Sequence, residues 1–152
     1  MRAHEITYNN WIRYTNDSIQ ADFTEYKKKE LSKWKIRAQD IGARWPLFDN
    51  LDQFKHALDS ASIVNIDKLG EVNNLTHNHS IDDIKSMVAS YYQPRNVDRI
   101  VRGFQQGAAL PLPIILQGEH GLWIMAGNTR QSTARVLGIA PMALLVNVQE
   151  SQ

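Results

Sequence analysis

One short segment of the chain combines the residue types that bind phosphate. Residues 124–138 read IMAGNTRQSTARVLG, in which an apolar run is followed by a glycine, small polar residues, an arginine and a helical pattern. The first turn of a helix has backbone N–H groups without intrahelical partners and a partial positive charge, so it favours a bound anion. Glycine permits close approach, and a guanidinium matches the geometry of phosphate oxygens. The segment therefore predicts an anion site formed by Gly127, Asn128, Thr129, Arg130 and Ser132.

The same pattern also occurs at ordinary turns between a strand and a helix. In such a turn a polar residue caps the helix and the arginine lies in solvent, with no ligand. The spacing from Gly127 to Arg130 is compatible with both alternatives. The choice between them depends on the surrounding elements.

The elements predicted around this segment form a small mixed sheet with packed helices. Apolar runs at residues 111–117 and 122–126 enclose a polar turn and predict a hairpin, and residues 141–148 predict another strand. Upstream, the motif Tyr92-Gln93-Pro94-Arg95 precedes a predicted helix at residues 97–106. The phosphate segment is therefore expected to link a strand of the sheet to a helix.

This order of elements and motifs resembles the ParB/sulfiredoxin superfamily, over about residues 63–148. The resemblance implies an α/β (α+β) fold with a small mixed β-sheet, and a bound nucleotide, ATP or CTP, whose phosphates lie at the glycine-arginine motif. By position, Gly127 matches the family's glycine, Arg130 its second arginine, and Pro94-Arg95 its upstream proline-arginine. The resemblance therefore places Arg95 beside the phosphates as well.

The chain also departs from the family's pattern. Asn128 stands at the position of the motif's glutamate, Thr129 at that of its first arginine, and Ser132 at that of a later arginine. The base of the nucleotide therefore stays open between ATP and CTP. The chain has no cysteine, so the thiol route by which sulfiredoxin reverses cysteine sulfinic acid is excluded.

A phosphate site becomes catalytic only with further groups. Phosphoryl transfer requires cations on the phosphates, usually including Mg²⁺, and a carboxylate that orients or deprotonates the acceptor. Arg95 and Arg130 supply positive charge, and the superfamily's kinases place a catalytic acid after the first strand, which implies Asp67 and Glu71 here. The alternative for both acids is an exposed position in a loop. The resulting hypothesis is an NTPase or a kinase-type phosphotransferase.

Two other functions stay open, a nucleotide-responsive DNA-binding module and a ParB-like nuclease. In partition proteins a helical DNA-reading domain follows the nucleotide fold, whereas mostly a strand follows Gly138 here. A nuclease needs a cluster of metal ligands, and His77-Asn78-His79 does not have the spacing of one. The enzyme hypothesis needs the fewest additional features.

The first part of the chain is predicted to be helical. Residues 1–60 are interpreted as a helical N-terminal extension, and residues 61–152 as the nucleotide-binding domain. Apolar residues between Ile19 and Ile41 recur at helical spacing and predict one long amphipathic helix. Its section at residues 27–44 is locally basic, so this face either contacts DNA or another nucleic acid, or is the solvated side of a docked helix.

Composition fits a single domain of ordinary size. The 152 residues include 43% hydrophobic residues, and the formal net charge is +1, which favours no class of partner. No apolar run approaches the roughly 18 residues of a membrane helix, and the N-terminus has no signal-peptide core. We expect a soluble, cytoplasmic protein with no membrane partner.

Overall fold

The computed structural model describes residues 10–28, 31–91 and 95–148. Within these ranges the chain forms six α-helices, seven strands and a 3-10 turn at Ile66–Lys68. The helices are α1 (Asn16–Lys28), α2 (Leu31–Asp40), α3 (Leu51–Ser60), α4 (Ile81–Ala89), α5 (Val97–Gln105) and α6 (Asn128–Val136). The strands are β1 (Trp11–Ile12), β2 (Ser62–Asn65), β3 (Val72–Asn73), β4 (Leu110–Pro111), β5 (Ile114–Gly118), β6 (Gly121–Ala126) and β7 (Met142–Asn147).

Five of the strands form one mixed sheet in the order β2-β7-β5-β6-β3. The pairs β7/β5 and β6/β3 are parallel, and the pairs β2/β7 and β5/β6 are antiparallel. A separate two-stranded ladder joins β1 to β4 in parallel. The prediction of a mixed α/β protein with a small mixed sheet and a β5–β6 hairpin is confirmed.

The central strand β5 is apolar on both faces because both faces are covered. Ile114 and Leu116 belong to the larger core, whereas Ile115 belongs to a second cluster of apolar side chains. Successive side chains of a strand point to opposite faces, so the two clusters lie on opposite sides of the sheet. A continuous buried run of this kind is typical of a strand covered on both sides.

The N-terminal helices cover one face of the sheet and share its core. Tyr26 of α1 and Phe54 of α3 are buried in the same cluster as Ile114 and Leu116. The indole Nε1 of Trp11 donates a hydrogen bond of 3.0 Å to the carbonyl oxygen of Ala140. The described part of the predicted extension is therefore packed into the hydrophobic core of the sheet, and residues 1–9 lie outside the described ranges.

The prediction of one long helix between Ile19 and Ile41 is wrong, because this stretch contains two helices, α1 and α2. The rings of Tyr26 and Trp34 lie 5.4 Å apart, although residues eight positions apart on a straight helix are separated by about 12 Å along its axis. The two helices therefore pack against each other. Residues 29 and 30 of the predicted basic section lie outside the described ranges.

The end of α2 is joined closely to the β5–β6 turn. The backbone N–H of His120 donates a hydrogen bond of 2.8 Å to the carbonyl oxygen of Ile41. A Cβ at Gly118 would overlap that same carbonyl, so only glycine allows this approach. Of the helices that the structure describes, none is both long enough and apolar enough to cross a membrane.

Candidate functional site

The predicted phosphate segment lies at the turn from β6 into α6. β6 ends at Ala126, and α6 begins at Asn128 after Gly127, whose φ of +82° is in the left-handed region. A Cβ at residue 127 would lie 2.7 Å from Cα of Pro113 and 2.9 Å from Nη2 of Arg130. Glycine is therefore required both for the backbone conformation and for the close approach to neighbouring atoms.

A cavity of about 180 Å³ opens at the first turn of α6. Its lining residues come from the end of β6 and this turn, from α1, from α5, and from both sides of residues 92–94, which lie outside the described ranges. Pro94 of the predicted proline-arginine pair is among these undescribed residues, whereas Arg95 lines the cavity. The polar and charged residues on the wall are Asp22, Glu25, Arg95, Asn128, Thr129 and Arg130.

Arg130 is half-buried as a residue, but its Nη2 atom is fully buried. Its Nε donates a hydrogen bond of 2.9 Å to the carbonyl oxygen of Pro111, which fixes the guanidinium. Nη2 has no acceptor among the described protein atoms. Burial lowers the pKa of Arg130, and the negative charge of Asp22 opposes this shift. A buried donor without a partner costs about 1–3 kcal/mol, and more when it is charged, so this atom favours an anionic ligand.

Two carboxylates of α1 face the same cavity, and the sequence did not identify either. Burial raises the pKa of Asp22 to about 6, against the positive charge of Arg130. Glu25 accepts a hydrogen bond from Nη2 of Arg95 at 3.4 Å, which is a long ion pair. Both acids lie beside the apolar positions of α1, but no local pattern indicates that this helix packs over the start of α6.

Asn128 has a mainly structural side chain. Its Oδ1 accepts hydrogen bonds of 3.0 Å from the backbone N–H and from the hydroxyl of Thr76, and its Nδ2 donates to the carbonyl of Asn74 at 2.7 Å. These bonds tie the loop after β3 to the first turn of α6. The part of Asn128 that remains for an anion is its backbone N–H, as expected at a helix start.

Thr129 and Ser132 have different surroundings. Thr129 is buried and lines the cavity. Ser132 is fully buried, and its Oγ lies within hydrogen-bond distance of two acceptors, the carbonyl oxygen of Thr76 at 3.1 Å and Oδ1 of Asn78 at 2.8 Å. Ser132 is not among the residues that line the cavity. The contact expected between Ser132 and an anion stays a prediction, and in the structure the hydroxyl contacts the loop after β3.

The two acids expected to be catalytic are not brought to the cavity. Asp67 lies in the 3-10 turn after β2 and forms an ion pair with Arg135, in the last turn of α6. Residue 135 lies five positions after Arg130, which is about 7.5 Å along a helix axis. Glu71 is exposed and does not line the cavity. The structure therefore places Asp22 and Glu25, and not Asp67 and Glu71, beside the predicted phosphate site.

A second hollow of about 410 Å³ adjoins the cavity. Four residues line both spaces, so the two are neighbours: Glu25, Tyr91, Met125 and Asn128. The hollow adds the half-buried ring of Trp34 and the basic residues Lys33 and Arg37 of α2. Part of the predicted basic section, residues 27–44, thus faces this hollow, whereas Lys35 and Arg44 do not line it.

Two arginines and a helix start line this cavity and can bind an anion, and two carboxylates line it as well. In the part of the chain that the structure describes, no three His, Asp or Glu side chains are grouped as a metal site. No family model, curated protein or solved structure matches the chain.

Proposed function

We propose that the protein binds a nucleoside triphosphate with its phosphates in the 180 Å³ cavity, and that it acts as an NTPase or a kinase-type phosphotransferase. The observation that carries this proposal is the buried Nη2 of Arg130, which has no acceptor among the described protein atoms. This charged donor lies at the first turn of a helix, and both features attract phosphate oxygens.

The donors around the cavity suit a polyphosphate. The first hydrogen bond of α6 runs from the backbone N–H of Gln131 to the carbonyl oxygen of Gly127. The backbone N–H groups of residues 128–130 therefore have no acceptor within the helix. Arg95 and Arg130 add guanidinium groups, and Thr129 lines the wall. The cavity is smaller than the roughly 300–1,000 Å³ of pockets that enclose a whole small molecule, so it suits the phosphate part of a ligand.

The neighbouring hollow supports a nucleoside as the other part. Its walls include the exposed ring of Tyr91 and the half-buried ring of Trp34, and aromatic rings of this kind stack on nucleobases. Because it adjoins the cavity through shared residues, a ligand with its phosphates in one space can place its base in the other. ATP and CTP both fit this description, and they are the nucleotides that the superfamily resemblance implies.

The ParB/sulfiredoxin-like fold is part of the proposal. The order β2, α5, β5, β6, α6 and β7 repeats the order of elements in that superfamily, and the glycine-arginine turn lies at the start of α6. Phosphoryl transfer also needs a carboxylate near the transferred group. Asp22 and Glu25 are the carboxylates that line the cavity, so we assign this requirement to them in place of Asp67 and Glu71.

The test measures binding of ATP, CTP and inorganic triphosphate by calorimetry. Arg130→Gln removes the buried charge but keeps a polar side chain, and Arg99→Gln is the matched control because Arg99 is exposed on α5. A hydrogen bond to a charged group contributes about 1.5–3 kcal/mol, so Arg130→Gln should weaken binding by about 10- to 150-fold. Arg99→Gln should bind like the parent, and thermal unfolding verifies that both variants are folded.

A folded Arg130→Gln variant that binds as tightly as the parent would show that the phosphates do not lie at this turn. Incubation with ATP or CTP, with and without single-stranded and duplex DNA, distinguishes the alternatives. Release or transfer of phosphate supports the enzyme. Retention of DNA without turnover supports the DNA-binding module, with the basic section at residues 27–44 as its surface, and shortened DNA supports the nuclease.

A further inference from the structure

Two carboxylates face a cavity that is otherwise suited to an anion. Asp22 and Glu25 lie one turn apart on α1 and line the cavity with Arg95 and Arg130. Among the described residues, Asp22 makes no hydrogen bond or ion pair. Glu25 is held by Arg95 only at 3.4 Å, between side chains that are 47% (Arg95) and 35% (Glu25) exposed. Neither carboxylate therefore has a strong partner among the residues that the structure describes.

The formal charges of these four side chains cancel, so together they give a bound triphosphate no net positive counter-charge. The two arginines attract the phosphates, and the two carboxylates repel them. Burial raises the pKa of Asp22 to about 6, and the positive charges of Arg130 and Arg95 oppose this shift only in part. A divalent cation between the carboxylates and the phosphates would remove the repulsion.

We propose that Asp22 and Glu25 hold a divalent cation, Mg²⁺ or Mn²⁺, against the phosphates of the bound nucleotide. This inference rests on the proposed function, because the phosphates are themselves ligands of the cation. Mg²⁺ is commonly bound by one or two carboxylates together with substrate phosphates and water.

Binding of the cation would also change the pairing of Glu25 with Arg95. When Glu25 binds the cation, its ion pair with Arg95 is weakened and the guanidinium becomes free to contact a phosphate. The nucleotide and the cation therefore strengthen the binding of each other, and this coupling must be equal in both directions. A cation site of this kind binds weakly without the nucleotide and tightly with it.

The test compares ATP binding by calorimetry in excess Mg²⁺ and in EDTA, at a pH well above the pKa of Asp22. The parent, Asp22→Asn and Glu25→Gln are compared with Asp40→Asn, which removes an exposed acid from the neighbouring helix α2. The parent and Asp40→Asn should bind ATP at least about tenfold more tightly with Mg²⁺, a factor that corresponds to about 1.4 kcal/mol.

The two cavity variants, Asp22→Asn and Glu25→Gln, should differ from the parent in how strongly Mg²⁺ increases their affinity for ATP. In EDTA, Asp22→Asn and Glu25→Gln should bind ATP at least as tightly as the parent, because a repelling charge is removed. In Mg²⁺ they should gain little further affinity. Titration with Mn²⁺, followed by electron paramagnetic resonance, should show tight Mn²⁺ binding by the parent only when ATP is present.

The outcomes separate this inference from the proposed function. If the cavity variants keep the full gain in Mg²⁺, the cation is not held by Asp22 and Glu25, although the nucleotide site stands. If Asp22→Asn weakens binding equally in both buffers, its role is structural and the cation site is also refuted. If the parent binds ATP in neither buffer, the nucleotide site and the cation site both fail.

Discussion

Replacement of Asp22 by asparagine should stabilise the protein at neutral pH and leave its stability nearly unchanged in acid. The carboxyl lies on the wall of the cavity, where burial raises its pKa from 3.8 to about 6. The charged groups that act on it are Arg130 and Arg95, which lower the pKa, and Glu25, which raises it. Burial has the largest effect, so the ionised form of Asp22 is less favourable in the folded protein than in the unfolded chain.

The magnitude follows from the linkage between proton binding and folding. Between the two pKa values the folded protein holds the proton of Asp22 and the unfolded chain has lost it, so the free energy of unfolding falls as the pH rises. One pKa unit corresponds to about 1.4 kcal/mol. Raising the pKa from 3.8 to about 6 therefore costs the parent about 3 kcal/mol once the carboxyl is ionised, and Asp22→Asn does not lose this stability.

The assay is urea unfolding of the parent and Asp22→Asn from about pH 4 to about pH 8, the range in which this linkage operates. Asp40→Asn, at an exposed position of α2, controls for the loss of one negative charge. The parent and Asp22→Asn share every other titrating group, so the difference between their curves of stability against pH isolates the contribution of Asp22. A stability difference that is independent of pH, or a variant less stable than the parent above the pKa, would refute the reasoning.

Two further predictions concern the turn and the hollow. Gly127→Ala should destabilise the protein more than Gly138→Ala in the same urea assay. Both glycines have positive φ, +82° and +76°, but a Cβ at residue 127 would lie 2.7 Å from Pro113, whereas a Cβ at residue 138 would meet no atom within 4 Å. This overpacking should add about 1–3 kcal/mol to the destabilisation caused by Gly127→Ala. Equal losses of unfolding free energy in the two variants would contradict this reasoning. Trp34→Leu, verified as folded by its thermal midpoint, should weaken binding of ATP or CTP by about tenfold, since stacking contributes about 1–3 kcal/mol per base. It should leave the calorimetric affinity for inorganic triphosphate unchanged, and equal losses for both ligands would place the base elsewhere.

Local signals in the sequence predicted the parts of the site that depend on neighbouring residues. The glycine at residue 127 and the polar residues after it indicated the start of α6, which begins at Asn128. Asn50 and Ser80 have the side chains that cap helices, and both accept a backbone N–H at the start of α3 and α4. These features need no knowledge of distant parts of the chain.

Contacts between distant segments could not be predicted in the same way. Asp22 and Glu25 reach the cavity because α1 packs over the turn at residue 127, more than a hundred residues along the chain. The spacing of residues in α6 did not show which neighbour the side chain of Ser132 contacts, and in the structure its hydroxyl contacts Thr76 and Asn78. Apolar periodicity likewise continues from α1 into α2 and carries no signal that the two helices pack against each other.

The position of β7 has a consequence for synthesis of the protein. β7 is the last strand along the described chain, yet it lies inside the sheet between β2 and β5. Until it emerges from the ribosome, β2 has no neighbour in this sheet, and the core around α1 and α3 lacks Leu144 and Val146. The core is completed only when strands that are distant in sequence have paired. We therefore expect the nascent chain to expose apolar surface until translation reaches β7. Chaperones should bind this surface during that interval.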